Sequence, residues 1–218
     1  MERIDDLQVN GLKLIQNPDG FCFGSDSVEL ANFVTGSTRD TAVDLGAGNG
    51  IISVLLAGKK GICVTAVEID RTAADLCARN VVLNNLQSLI KVINAPMQEV
   101  MLHGTTVVVC NPPYFKQGSG AMRTGISGTR HELHVTCKEV VCTASRLLST
   151  GGRFFVCYPV DRMAELFAHC RTQKLEPKEA VLLHSGDKPP HLFLLKCVKD
   201  AGTGFKVTVR KIKNYGME

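Results

Sequence analysis

Four consecutive residues, Asn111-Pro112-Pro113-Tyr114, bring together groups suited to presenting an amine for attack. A conjugated NH2 group, such as adenine N6 or a glutamine amide, is a poor nucleophile because its lone pair is delocalised. The Asn111 side-chain oxygen and the Pro112 carbonyl can both accept hydrogen bonds from such a group. They would hold it pyramidal, with its lone pair aimed at an electrophile. The two prolines fix the backbone carrying these acceptors. The Tyr114 ring offers a face on which a planar group can stack. The rival reading is a plain Pro-Pro turn after a strand. What separates the two is whether a site for the electrophile lies upstream.

A second run answers that question. Thr41-Ala42-Val43-Asp44-Leu45 reads as a buried strand, Gly46-Ala47-Gly48-Asn49-Gly50 follows at once, and Ile51 to Ala57 reads as a helix. Glycines at a helix N-terminus let backbone approach a ligand closely. The dinucleotide fingerprint needs its third glycine one residue later, where Ile51 stands. Asp44, two residues before the turn, suits the ammonium of an amino-acid-bearing cofactor and adds nothing for a pyrophosphate. Glu68 closes the next strand, Gly61 to Val67, 24 residues after Asp44 (68 minus 44). That spacing places an acid on ribose hydroxyls.

These residues need a scaffold of strand ends. Val107-Val108-Val109-Cys110 is an apolar run of the kind buried in a parallel sheet, and the prolines must end it. Asn111 thus falls at the carboxyl end of a strand, where open α/β sheets place ligands. Leu89 to Ile93 and Arg153 to Tyr158 read as further strands. Helices are expected over Val28 to Val34 with Ser25 or Asp26 as N-cap, Arg71 to Asn84, Glu132 to Leu148 and Asp161 to Gln173. Gly151-Gly152 should end the third of these. Ala180 to His184 and Leu192 to Val198 form a terminal hairpin-like pair. Strands alternating with helices describe a doubly wound fold with an antiparallel end strand. Residues 116 to 130 form a Gly/Ser-rich loop carrying Lys116, Arg123 and Arg130, suited to a lid or a phosphate contact. His131 and His134 read as structural or surface histidines, and no metal site is expected.

The chain has 218 residues, 44% hydrophobic and 21% charged, which suits a globular protein with a real core. No apolar run has membrane-spanning length and the polar start is no secretory signal, so the cytoplasm is the expected location, without membrane association. Nine cysteines lie scattered in apolar runs with no Cys-x-x-Cys pair, the pattern of buried reduced thiols. The net charge of +4 permits an anionic partner. The tail adds Lys206, Arg210, Lys211 and Lys213, which read first as a solvated strand face.

Val43 to Gly50, Glu68 and Asn111 to Tyr114 together resemble the class I S-adenosylmethionine-dependent methyltransferases, in the subset that methylates amines. Glu2 to Leu7, Ile15 to Asp26 and Arg130-His131-Glu132 resemble the bacterial tRNA1(Val) adenine-N6 methyltransferase family. The resemblance implies a Rossmann-like, doubly wound, seven-stranded and mostly parallel sheet over residues 39–218, with an N-terminal capping segment at 1–38. It implies S-adenosylmethionine as cofactor, with Phe23, Gly24 and Asp26 over its methionine end. Asp44, Gly46 and Gly48 would hold its amino-acid part and Glu68 its ribose. Such enzymes usually carry an acid near the cofactor's adenine amine, and here Asn94 stands in that place. Asn111, Pro112 and Tyr114 would be catalytic. Pro113, Lys116, Arg123 and Arg130 would face the substrate. The expected partner is RNA, most readily a tRNA anticodon-loop adenine, for a monomer or weak homodimer. Methylation of a glutamine amide in a release factor, a nicotinamide-dependent oxidoreductase and a non-catalytic RNA-binding module are the alternatives.

Overall fold

The computed structural model describes residues 2–17, 24–112 and 135–212. Its centre is one eight-stranded sheet in the order β10-β8-β9-β7-β6-β3-β4-β5. The strands are β3 (Thr41–Leu45), β4 (Cys63–Glu68), β5 (Ile90–Asn94), β6 (Thr105–Cys110), β7 (Leu148–Pro159), β8 (Leu175–His184), β9 (Leu192–Lys199) and β10 (Lys206–Lys211). All pairings are parallel except those of β9 with β7 and β8. The central strands are almost wholly apolar because both faces are covered. Leu14, Leu30, Leu56 and Ile62 lie in the core on one face, and Val141, Leu147, Phe154 and Leu166 in the core on the other. The cover is α1 (Ser25–Phe33), α2 (Ile51–Lys60), α3 (Arg71–Leu83), α4 (Cys137–Leu147) and α5 (Met163–Thr172).

Two expectations about the sheet need correction. It has eight strands, not seven, because Lys206–Lys211 pairs in parallel along β8 and covers what would otherwise be its open edge. The antiparallel strand is β9, set between β7 and β8 instead of at the end. All six β10 residues are exposed, so the alternation of Val207 and Val209 with Lys206, Thr208 and Arg210 does not mark a buried face. Gly151-Gly152 do not stop a helix. α4 runs directly into β7, and both glycines lie within the strand.

Two further differences concern helix starts. The N-cap of α1 is Gly24, with no side-chain cap bond. The α4 helix begins at Cys137 behind a full capping box, in which Thr136 Oγ1 accepts from Glu139 N and Glu139 Oε2 accepts from Thr136 N. Among the described residues the cysteines are free thiols, most of them buried.

Before the sheet, β1 (Arg3–Asp6) and β2 (Lys13–Gln16) form an antiparallel hairpin. Asn80 of α3 and its C-cap Asn84, one turn apart, bind β2 as a neighbouring strand would. Asn84 Oδ1 accepts from Lys13 N at 2.8 Å and its Nδ2 donates to Lys13 O at 2.7 Å. Asn80 does the same for Ile15, at 2.6 and 3.1 Å. The alternate residues of β2 thus find their backbone partners in side-chain amides. Asn80 Nδ2 also reaches Asn49 O at 2.9 Å, tying the hairpin to the glycine turn. Beyond residue 24, α1 packs on β7 through an edge-to-face contact of Phe33 with Phe155 at 5.7 Å.

Candidate active site

The strand order reverses at β3, which has β4 and β5 on one side and β6 on the other. Ligands of open α/β sheets lie outside the carboxyl ends of strands at such a point. The register pairs Leu45 with Cys110, so Gly46 and Asn111 leave the sheet side by side.

On the β3 side the turn is held by backbone. Gly46 N and Ala47 N both donate to Val67 O, at 2.9 and 3.0 Å. Gly46, Gly48 and Gly50 have φ of 72°, 57° and 87°, the left-handed region that favours glycine. A Cβ on Gly46 or Gly48 would meet nothing within 4 Å among the described residues, so this part of the turn borders open space. A Cβ on Gly50 would lie 2.6 Å from Cys77 Sγ, so Gly50 is dictated by packing on α3. Glu68 Oε2 accepts from Gly48 N at 2.8 Å and Oε1 from Asp70 N at 2.9 Å. The carboxylate at the end of β4 is therefore oriented by the turn it faces.

Asp44 is fully buried. Its Oδ2 accepts from Ser53 Oγ at 2.7 Å, while Oδ1 has no hydrogen-bond partner among the described residues. Burial pushes its carboxyl up to about 7, helped by the nearby charge of Glu68 and opposed by the Ser53 bond. A buried acid with one unpaired oxygen beside a glycine turn fits a cationic ligand group that would pair with it.

Asn94, at the end of β5, donates from Nδ2 to Glu68 O and Ile69 O, both at 2.9 Å. Two carbonyls at this place demand a donor, which accounts for an amide where an acid was expected. On the β6 side Asn111 Nδ2 donates to Asp26 Oδ2 and to Ser27 Oγ of α1, both at 2.8 Å. Asp26 thus lies against Asn111, a link between residues 85 apart that no local pattern announces. Ser27, Ser53, Asn80 and Asn84 are polar groups that sequence reasoning passed over. The i, i+4 spacing of the two asparagines was the one readable hint.

The structure brings Gly24, Asp26, Asp44, Gly46, Gly48, Glu68, Asn94, Asn111 and Pro112 to the carboxyl edge of the sheet or to the start of α1 beside it. Phe23, Pro113, Tyr114, Lys116, Arg123 and Arg130 lie outside the described residues, as do His131, His134 and Lys213. In the tail, Arg210 pairs with the buried Glu29 of α1 at 3.2 Å, so that charge serves the fold. Cys137, Glu165 and His169 place their ligand atoms within 4.8 Å of one another. Both Glu165 oxygens already carry the Arg162 guanidinium, and burial pushes the Cys137 thiol up to about 11, so the group is accounted for as an ion-pair cluster. No helix among the described residues is long and apolar enough to cross a membrane.

Among solved structures, a predicted O-methyltransferase from Agrobacterium tumefaciens superposes with a TM-score of 0.65 over 85% of each chain at 22% identity, which establishes the class I methyltransferase fold. Among sequences, the chain is 28% identical over 187 residues to a tRNA1(Val) (adenine(37)-N6)-methyltransferase of Shewanella woodyi, covering 81% of this chain and 77% of that one. It is 27% identical over 169 residues to the protein of the same name from Shewanella baltica strain OS185, covering 72% and 69%. The model of the methyltransferase small domain matches residues 23–178, and the chain belongs to that family.

Proposed function

We propose that this protein transfers a methyl group from S-adenosylmethionine to the exocyclic N6 amine of an adenine in RNA, specifically in a tRNA anticodon loop. The observation that carries the reading is the pairing of two sites across β3 and β6. The glycine turn with its half-paired Asp44 stands beside Asn111, whose amide nitrogen is tied back to α1. The names of the relatives supply the adenine and the tRNA.

S-adenosylmethionine, when bound, supplies an electrophilic sulfonium methyl. Asp44 pairs with the ammonium of its amino-acid part, Gly46 and Gly48 let backbone approach it, and Glu68 accepts from ribose hydroxyls. The Asn94 amide nitrogen is spent on backbone carbonyls, which leaves its oxygen as the acceptor for the cofactor's adenine amine. Asn111 Oδ1 and the Pro112 carbonyl accept from the target NH2 and align its lone pair. The prolines fix those acceptors, and Tyr114 stacks on the flipped base. A loop base is splayed out at little cost, which favours single-stranded RNA over duplex. Lys116, Arg123 and Arg130 follow this motif and contact phosphates. Residues 1–38 cap the site, a role supported by the hairpin bonds to α3 and by the Asp26 contact.

Two measurements test this. Radiolabelled donor is offered to bulk tRNA lacking the modification and, separately, to a release factor. Label is expected in tRNA as N6-methyladenine, and label in the protein with none in tRNA would overturn the substrate. In calorimetric titrations S-adenosylhomocysteine should release heat and NADH should not. The reverse pattern excludes the methyl donor.

A further inference from the structure

We infer that Asp26 is a positioning residue, which with Ser27 decides which end of the Asn111 carboxamide meets the target amine. This rests on the amine-methylation reading above. The two ends of an asparagine amide have nearly the same shape and opposite hydrogen-bonding roles. Only the oxygen end accepts from an NH2 group. The Asp26 carboxylate is acceptor-only, and it sits 2.8 Å from Asn111 Nδ2. Turned over, the amide would set its oxygen against that carboxylate, so the flipped state is excluded by charge. Ser27 Oγ, on a buried side chain, takes the second Nδ2 hydrogen at 2.8 Å. With both nitrogen donors committed to α1, the oxygen is turned away from the helix.

Gly24 belongs to the same device. A Cβ at that position would overlap Asp26 Oδ1, so the carboxylate keeps its place only because residue 24 has no side chain. Gly24, Asp26 and Ser27 are therefore read as one short segment that sets the catalytic amide, with no cofactor contact needed to account for them.

Wild-type protein is first assayed with tRNA and with release factor under single-turnover conditions. Transfer to neither would overturn the functional reading, and the inference with it. Given transfer, Asp26→Asn, which admits both amide orientations, should slow the single-turnover rate roughly 10- to 100-fold, the scale of a misaligned reacting group. Its affinity for S-adenosylhomocysteine should stay within about twofold, less than the loss of a hydrogen bond would bring. Combined with Asn111→Ala, it should add no further loss. Gly24→Ala should reproduce the same behaviour, and Ser27→Ala a smaller loss of about threefold. These two keep the inference falsifiable if Asp26→Asn fails to fold. A readout independent of activity is the side-chain NH2 resonance of Asn111, identified by its loss in Asn111→Ala. It should shift in Asp26→Asn and hold still in a distant surface variant. A normal rate in Asp26→Asn, a rate loss additive with Asn111→Ala, or weaker cofactor binding at unchanged rate would each overturn the assignment.

Discussion

The glycine turn after β3 and the asparagine after β6 stand at neighbouring strand ends, yet they are assembled by opposite routes. The turn is built from contiguous sequence. Its shape follows from three left-handed glycines and from bonds to Val67 O and Glu68, the end of the next strand. Asn111 is shaped from afar, by an acid and a hydroxyl on α1. A loop held by its left-handed glycines and by the end of the adjacent strand fails when a glycine is lost. A side chain aimed by a distant helix fails in rate while the fold stands.

The largest expected effect lies on the turn. Gly50→Val combines a left-handed φ, which β-branched residues avoid, with a clash against Cys77, and should cost about 3–5 kcal/mol. Urea denaturation measures it, and a loss under about 1 kcal/mol would mean that the turn is not set by its glycines.

Asp44 gives the next. Its folded-state carboxyl lies at about 7, above the usual 3.8, so its contribution to stability is complete below about pH 4 and is lost as pH rises through 7. Asp44→Asn should therefore match the wild type near pH 4 and exceed it at pH 8 by up to about 4 kcal/mol without cofactor, while losing at least about tenfold in S-adenosylhomocysteine affinity. Equal stability differences at both pH values would contradict the buried charge. In the wild type that affinity should rise with pH and level off above about 7, since the ionised carboxylate is the form that pairs with an ammonium.

On the other side, Asn111→Ala should lower methyl transfer about a hundredfold or more, with cofactor binding and melting temperature nearly unchanged. An undiminished single-turnover rate would remove Asn111 from the chemistry. The smallest effect belongs to Asn84→Ala. It should cost about 1–2 kcal/mol and speed amide exchange at Lys13, while leaving the single-turnover rate alone. A rate loss as large as that of Asn111→Ala would show that the hairpin also governs the target side.

The same contrast explains what the sequence disclosed. The placement of Asp44, the glycine turn and Glu68 at one sheet edge is legible because they lie in consecutive residues and in a fixed βαβ spacing. Strands such as Val107 to Cys110 are legible because burial on both faces forces an apolar run. The tail reads only as a solvated strand face; its pairing along β8 was not legible, because an exposed edge strand carries no apolar face that names its neighbour. The α4 start was readable, since Thr136 and Glu139 have capping-box spacing, but the apolar face drew the boundary further upstream. Asp26 reads from the sequence as an N-cap candidate, and only the family resemblance implies a place at the site. Its bond to Asn111 depends on how α1 crosses the sheet end, which no window of sequence contains.

The asparagine pair at the C-terminal end of α3 also bears on synthesis. β2 leaves the ribosome well before its partners, since Ile15 and Asn80 are 65 residues apart and Lys13 and Asn84 are 71 apart. Until α3 has emerged and coiled, the carbonyls and amides of β2 that it will bind must stay hydrated or borrow other partners. The hairpin is thus early in the chain and late in docking. Its arrival fixes Asn80, and Asn80 holds the Asn49 carbonyl of the glycine turn. Docking of the hairpin and the shape of the glycine turn thus share one side chain.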